Sequence, residues 1–128
     1  MEYFTSKTVN LSYEQAIAKV TELFKDEGFG VLTEIDVKDT LKKKLDVDFK
    51  KYKILGACNP NFAHKALQAE DKIGVMLPCN VIVEENDDGT VEVSAVNPVA
   101  SMQAVSNDGL QPIAEQVKNN LEKVINNL

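Results

Sequence analysis

The chain has 128 residues and a net charge of −6, which comes from 20 acidic and 14 basic residues. This length is typical of one domain, and we treat residues 1–128 as a single unit. Hydrophobic residues make up 44% of the chain and charged residues 27%, a globular composition that argues against disorder. Two cysteines are too few for a disulfide scaffold.

The acidic charge and the absence of arginine argue against nucleic-acid binding, which depends on basic patches. No apolar run approaches the roughly 20 residues that a membrane span needs. The first ten residues, MEYFTSKTVN, contain neither the basic nor the apolar region of a secretory signal. We therefore expect a soluble cytoplasmic protein without nucleic-acid or membrane partners.

The first elements along the chain are a strand and an amphipathic helix. β-Branched content favours a strand over Tyr3–Val9. Ser12 and Gln15 have the spacing of a capping box, which predicts a helix start. Gly28 is suited to the left-handed residue that ends this helix.

A second strand and a short helix follow. Phe29–Val37 alternates apolar and polar residues, which predicts a strand. The alternation puts Phe29, Val31, Thr33, Ile35 and Val37 on one face and Leu32, Glu34 and Asp36 on the other. Lys38–Leu45 is basic and has helical propensity, so we expect a short exposed helix there.

The centre of the chain predicts a strand, a helix and a hairpin. Tyr52–Cys58 has the pattern of a strand, and Asn59 with Pro60 is the typical start of a helix. Val75–Glu84 and Thr90–Asn97 are predicted to pair as a hairpin, because the NDDG sequence between them favours a turn.

The chain ends in its strongest helix signal. After a predicted loop over residues 98–107, apolar residues recur at helical spacing from Leu110 to Leu128, and Pro112 fits the first turn. The whole order predicts an α+β fold: a two-layer sandwich of a mostly antiparallel sheet with helices packed on one face.

Cys58 and His64 are the first candidates for chemistry. A thiol just before a helix start is next to free backbone N–H groups and the positive end of the helix dipole, which stabilise a thiolate or bind a small anion. His64 would then act as a general base near neutral pH. The alternative is that Cys58 is a buried small residue and His64 a surface one.

A second polar group lies on the predicted strands. Cys79 alternates with apolar residues and is expected in the core, whereas Asn80 in mid-strand indicates a buried hydrogen bond. Pro78 indicates an edge strand or a bulge. Glu34 and Asp36 share a strand face, either as solvated carboxylates or as site carboxylates with a raised pKa.

Four segments resemble the DUF302 family: GFGVLTEIDV (28–37), YKILGACNP (52–60), AHKALQAEDKIGVMLPCNVIVEE (63–85) and VEVSAVNP (91–98). The resemblance implies a compact α+β sandwich that pairs as a homodimer, and it carries no assigned activity. The recurring polar positions of the family match Glu34, Asp36, Cys58, Asn59, Pro60, His64, Pro78, Cys79 and Asn80.

The leading hypothesis is a domain that binds a small polar or anionic ligand near Cys58 and His64. The predicted ligand-binding residues are Glu34, Asp36, Cys58, Asn59, His64, Cys79 and Asn80. Three alternatives stay open: a thiol enzyme in which His64 assists Cys58 and Cys79 resolves, a transition-metal site of Cys58, His64, Cys79 and a carboxylate, and a structural homodimer. The sequence does not identify a cofactor, and the absence of a phosphate-binding glycine loop or nucleotide fingerprint argues only against a nucleotide-dependent enzyme.

Overall fold

The computed structural model describes residues 1–128 and has the predicted α+β architecture. The strands are β1 (Phe4–Val9), β2 (Gly30–Asp36), β3 (Tyr52–Cys58), β4 (Cys79–Glu85) and β5 (Val91–Val96). The α-helices are α1 (Tyr13–Asp26), α2 (Val37–Leu45), α3 (Pro60–Ala69), α4 (Pro98–Ser101) and α5 (Gln111–Asn126). Short 3₁₀ turns span Asp71–Met76, Met102–Ala104 and Asp108–Leu110.

The five strands form one antiparallel sheet in the order β1-β5-β4-β3-β2. The predicted hairpin is confirmed as β4 and β5, and β4 lies in the centre of the sheet. The edge strands are β1 and β2. No helix has the combination of length and apolar character needed to cross a bilayer.

One face of the sheet packs against α1 and α5, as predicted. It contributes the buried residues Val9, Leu55, Ala57, Cys79, Val81, Val83, Val91, Val93 and Ala95. Val20 and Phe24 of α1, with Leu121 and Ile125 of α5, close this core. Because side chains alternate along a strand, the residues between these positions point to the opposite side, which we call the open sheet face.

The predicted helix ends are confirmed by their hydrogen bonds. Ser12 Oγ accepts from the amide of Gln15 at 3.1 Å, and Gln15 Oε1 accepts from the amide of Ser12 at 3.0 Å. Gly28 has a φ of +80°, the left-handed conformation that glycine adopts without strain. The predicted loop after Asn97 instead contains α4, because the Asn97 side chain caps a helical turn there.

The predicted assignment of β2 residues to the two faces of the sheet is wrong beyond Leu32. A register shift between Val31 and Thr33 leaves Leu32 as an extra residue in the pairing with β3. Thr33 is therefore opposite Gly56, whereas Val31 is opposite Ala57. A bulge of this kind reverses the faces of all later residues, so Thr33 and Ile35 lie on the open sheet face, away from Val31.

The start of the fourth strand also differs from the prediction. Residues 71–76 form a 3₁₀ turn, and Val75 is exposed there. Pro78 precedes β4, which is a central strand, so the predicted edge position or bulge is wrong. A proline just outside the strand costs no ladder hydrogen bond, which is why it is compatible with a central strand.

Candidate functional site

A small cavity lies where β3 ends, α3 begins and the chain enters β4. Its volume is about 30 Å³, and 12 of its 15 lining residues are hydrophobic. Of the predicted site residues, Cys58, Asn59 and Cys79 line it. The other sides include Phe62 of α3 and Met102 of the turn after α4. The predicted location therefore contains a cavity, but an apolar one.

Asn59 organises the entrance to α3. Its Oδ1 accepts from the amide of Asn61 at 3.1 Å and from that of Phe62 at 3.4 Å, and its Nδ2 donates to the carbonyl of Glu27 at 3.4 Å. These amides at the start of α3 are the ones that the sequence analysis predicted to bind an anion. Because the Asn59 side chain already occupies them, the predicted anion-binding arrangement is not open to a ligand.

The two cysteines are free and lie close together. Cys79 is opposite Ala57 across the β3–β4 pair, and Cys58 is the next residue after Ala57. Cys58 is half-buried, whereas Cys79 is only 9% exposed. Burial raises the pKa of the Cys58 thiol. It raises the pKa of Cys79 to about 11, with a smaller contribution from a negative charge on Cys58.

These raised pKa values bear on the prediction that Cys58 is a stabilised thiolate. A helix start was expected to lower the pKa of Cys58, and the structure gives the opposite direction because desolvation disfavours the charged form. Both sulfurs are therefore neutral thiols at pH 7. The core position predicted for Cys79 is confirmed.

His64 does not join Cys58. It lies on α3 with an exposed side chain and is not among the residues that line the cavity. The structure therefore gives no contact through which its imidazole would take a proton from Cys58.

The remaining predicted residues are elsewhere. Asp36 caps α2 by accepting from the amide of Asp39 at 2.9 Å, and Glu34 lies 3.9 Å from the Nζ of Lys53 on an exposed edge. Asn80 is exposed on the open sheet face, so its predicted burial is wrong. No three His, Cys, Asp or Glu side chains come together as a metal-binding group, so the predicted set of Cys58, His64, Cys79 and a carboxylate is not assembled.

Sequence reasoning missed Met102 and Phe62 as lining residues. Met102 falls in a segment predicted to be a loop, and nothing in its local pattern indicates that it returns to the end of β3. Phe62 belongs to the apolar stripe of α3, which signals packing but not a cavity wall.

A wider groove of about 460 Å³ lies on the open sheet face. Its walls include the aromatic rings of Tyr3, Phe4 and Tyr52, with Asn80 and Ile82 between them. Two polar groups at its border are already paired. Glu84 accepts from Lys50 Nζ at 2.6 Å, and Ser94 donates to Ser6 Oγ at 3.0 Å.

Comparisons with known proteins agree with this architecture. The family model described as "Domain of unknown function DUF302" matches residues 5–128. The crystal structure of the uncharacterized conserved protein DUF302 from Bacillus stearothermophilus is similar, with a TM-score of 0.92 and 27% identity over 98% of each chain. No curated protein matches the chain.

Proposed function

We propose that this chain, which belongs to the DUF302 family, is a ligand-binding domain whose site is the cavity beside Cys58. The observation that carries the proposal is that Cys58, Asn59 and Cys79 line one cavity although they come from the end of β3, the cap of α3 and the start of β4. Convergence of a few polar groups in an apolar cavity is the usual arrangement of a small-molecule site.

The cavity supports a smaller and less polar ligand than the sequence predicted. A single water needs roughly 10–15 Å³, so about 30 Å³ admits only a few atoms. The predicted anionic ligand would have to compete with Asn59 for the amides of Asn61 and Phe62. We therefore propose a small apolar or soft ligand that contacts the sulfur atoms.

The experiment is a titration of the chain with ethanol, acetone and dimethyl sulfoxide as probes of the cavity. Binding is monitored through the amide chemical shifts in NMR spectra. We expect saturable changes in the amide chemical shifts of Ala57 and Asn59, because both residues line the cavity. Ala63→Leu should abolish these shifts by filling the cavity, because Ala63 lines it. Ala69→Leu is the matched control, since Ala69 is exposed on the same helix.

Two outcomes would contradict the proposal. One is the absence of saturable shifts at Ala57 and Asn59 with all three probes. The other is that the shifts persist unchanged in the Ala63→Leu variant, which would assign them to binding outside the cavity.

A second candidate is self-association through the open sheet face, the homodimer expected for this family. The supporting observation is its exposed apolar side chains: Tyr3 at its rim is 70% exposed, Ile35 48% and Phe4 36%. Aromatic residues are enriched in interfaces. Five strands about 4.8 Å apart and roughly 20 Å long give a face of about 480 Å² in projection. This projected area is a lower bound on the accessible area that a second copy would cover, and a standard interface buries roughly 800 Å² per partner.

Light scattering tests the dimer. We expect twice the chain mass of 14.1 kDa, and we expect Ile82→Lys to reduce it to the monomer value because Ile82 lies in the groove of the open sheet face. Val75→Lys is the control, since Val75 is 85% exposed in the 3₁₀ turn. A monomer mass for the unmodified chain at millimolar concentration would contradict this candidate.

A further inference from the structure

We propose that the cavity is a binding site for a soft monovalent metal ion, Cu(I), held by the sulfur atoms of Cys58, Cys79 and Met102. The proposal rests on the proposed function, because it names the ligand of the same cavity. Its basis is that the three sulfur-bearing side chains line one small cavity whose other walls are mostly hydrocarbon.

The sheet register brings the two thiols within reach of one ion. Cys79 is opposite Ala57, so Cys58 and Cys79 are one residue out of register on neighbouring strands. Such residues have Cα atoms roughly 6 Å apart. Side chains one residue out of register would point to opposite faces in a continuing sheet. Cys58 is the last residue of β3, however, and both cysteines line the cavity at the end of the sheet.

Met102 closes the third side. It belongs to the 3₁₀ turn that follows α4, and α4 begins directly after β5 through the capping residue Asn97. The turn is therefore attached to the strand beside β4. Met102 is half-buried and lines the same cavity as the two cysteines.

The donor set selects the metal. Thiolates and thioethers are soft ligands that favour Cu(I), whereas Mg²⁺ and Ca²⁺ require oxygen ligands. A structural Zn²⁺ site takes four ligands from Cys, His and carboxylates, and no three such side chains meet in this structure. Two thiols and one thioether match the low coordination number that Cu(I) accepts.

Binding involves no change of oxidation state. Each cysteine thiol loses its proton to solvent as its sulfur donates a lone pair to Cu(I), and the thioether of Met102 donates a lone pair without losing a proton. The reaction consumes one Cu(I) and two thiols and releases two protons, leaving a bound complex with one net negative charge.

The test is an anaerobic titration of the reduced full chain with Cu(I) in competition with the chromophoric chelator bicinchoninate. We expect one Cu(I) per chain and a sulfur-only first shell by X-ray absorption. Cys58→Ser and Cys79→Ala should each weaken binding at least 100-fold, and Met102→Leu should weaken it about tenfold. Met76→Leu is the matched control, because Met76 packs against the same small cluster as Met102 but does not line the cavity.

The outcomes separate this assignment from the proposed function. Cu(I) binding that is as strong in Cys79→Ala and in Met102→Leu as in the unmodified chain would overturn the metal site, provided that circular dichroism shows both variants to be folded. The same holds for a first shell that contains nitrogen or oxygen. If the organic probes still saturate the cavity, the proposed function stands without the metal. If neither copper nor the probes bind there, both proposals fail.

Discussion

Thr33 Oγ1 occupies the space that a side chain at Gly56 would need. The two residues are opposite each other in the β2–β3 pair, immediately after the bulge at Leu32. A Cβ atom added to Gly56 would also lie 2.7 Å from Cγ of Pro78. The bulge, the glycine and the proline that precedes β4 are therefore packed together on the open sheet face, next to the end of the strand that carries Cys58.

This contact predicts that Gly56→Ala destabilises the fold. Overpacking of this kind costs about 1–3 kcal/mol of the free energy of unfolding. Combining it with Thr33→Ala should recover part of that loss, because the contact with Pro78 remains. Gly30→Ala is the control, since no heavy atom lies within 4 Å of its added Cβ. Urea denaturation gives the comparison, and equal midpoints for Gly56→Ala and Gly30→Ala would contradict the packing argument.

Asn59→Ala should lower the free energy of unfolding by about 1 kcal/mol, the usual contribution of a helix N-cap. The reason is the loss of the bonds from the amides of Asn61 and Phe62. Asn59→Asp should lose less, because an aspartate retains the acceptor. Asn61→Ala is the control and should change stability by less than about 0.5 kcal/mol. If Asn61→Ala lowered the free energy of unfolding as much as Asn59→Ala, the N-cap role of Asn59 would be contradicted.

The raised pKa of Cys79 predicts a loss of stability in alkali. An unfolded thiol ionises near pH 9, whereas folded Cys79 stays protonated up to about pH 11. The folded state therefore binds more protons in this window, and its stability falls as the pH rises from 9 to 11. Below pH 9 both states are protonated and the contribution is constant. The difference in unfolding free energy between the unmodified chain and Cys79→Ala, measured at pH 8 and pH 10.5, isolates this effect from lysine titration. A pH-independent difference would refute it.

Alkylation by iodoacetamide tests the state of Cys58. Because burial raises its pKa above the ordinary value of 9.0, we expect Cys58 in a Cys79→Ala variant to react more slowly at pH 7.5 than N-acetylcysteine. The rate should rise through an inflection above pH 9. In a Cys58→Ala variant, Cys79 should stay unreactive until urea unfolds the chain, since only 9% of it is exposed. An inflection of the Cys58 profile below pH 8 would instead support the thiolate predicted from the helix start.

The elements of this fold are largely readable in the sequence because their signals are local. The capping box of Ser12 and Gln15 and the left-handed Gly28 fix the ends of α1 through bonds within a few residues. The start of α3 at Asn59 and Pro60 is fixed in the same way. Strand assignments that followed regular alternation, such as β3 over Tyr52–Cys58, agree with the structure for the same reason.

The errors arise where distant segments decide the outcome. The bulge at Leu32 exists only in the pairing with β3, so a single strand read alone cannot reveal that Thr33 changes face. Alternation puts Asn80 on the face opposite to Cys79, but only the packing of α1 and α5 on the other face decides that Asn80 is exposed. The sequence indicated the region around Cys58, and the structure has a cavity there. Its apolar character comes from residues far along the chain, such as Met102.

The bulge at Leu32 has a further consequence for how the sheet ends. An edge strand with a regular row of free N–H and C=O groups is a template on which another chain adds as a sixth strand, which leads to aggregation. β2 is such an edge strand, and its irregular backbone interrupts that row. An incoming strand would have to match this bulge, so the addition of a strand at β2 is disfavoured. The open sheet face is not affected by the bulge in this way and remains accessible for contact.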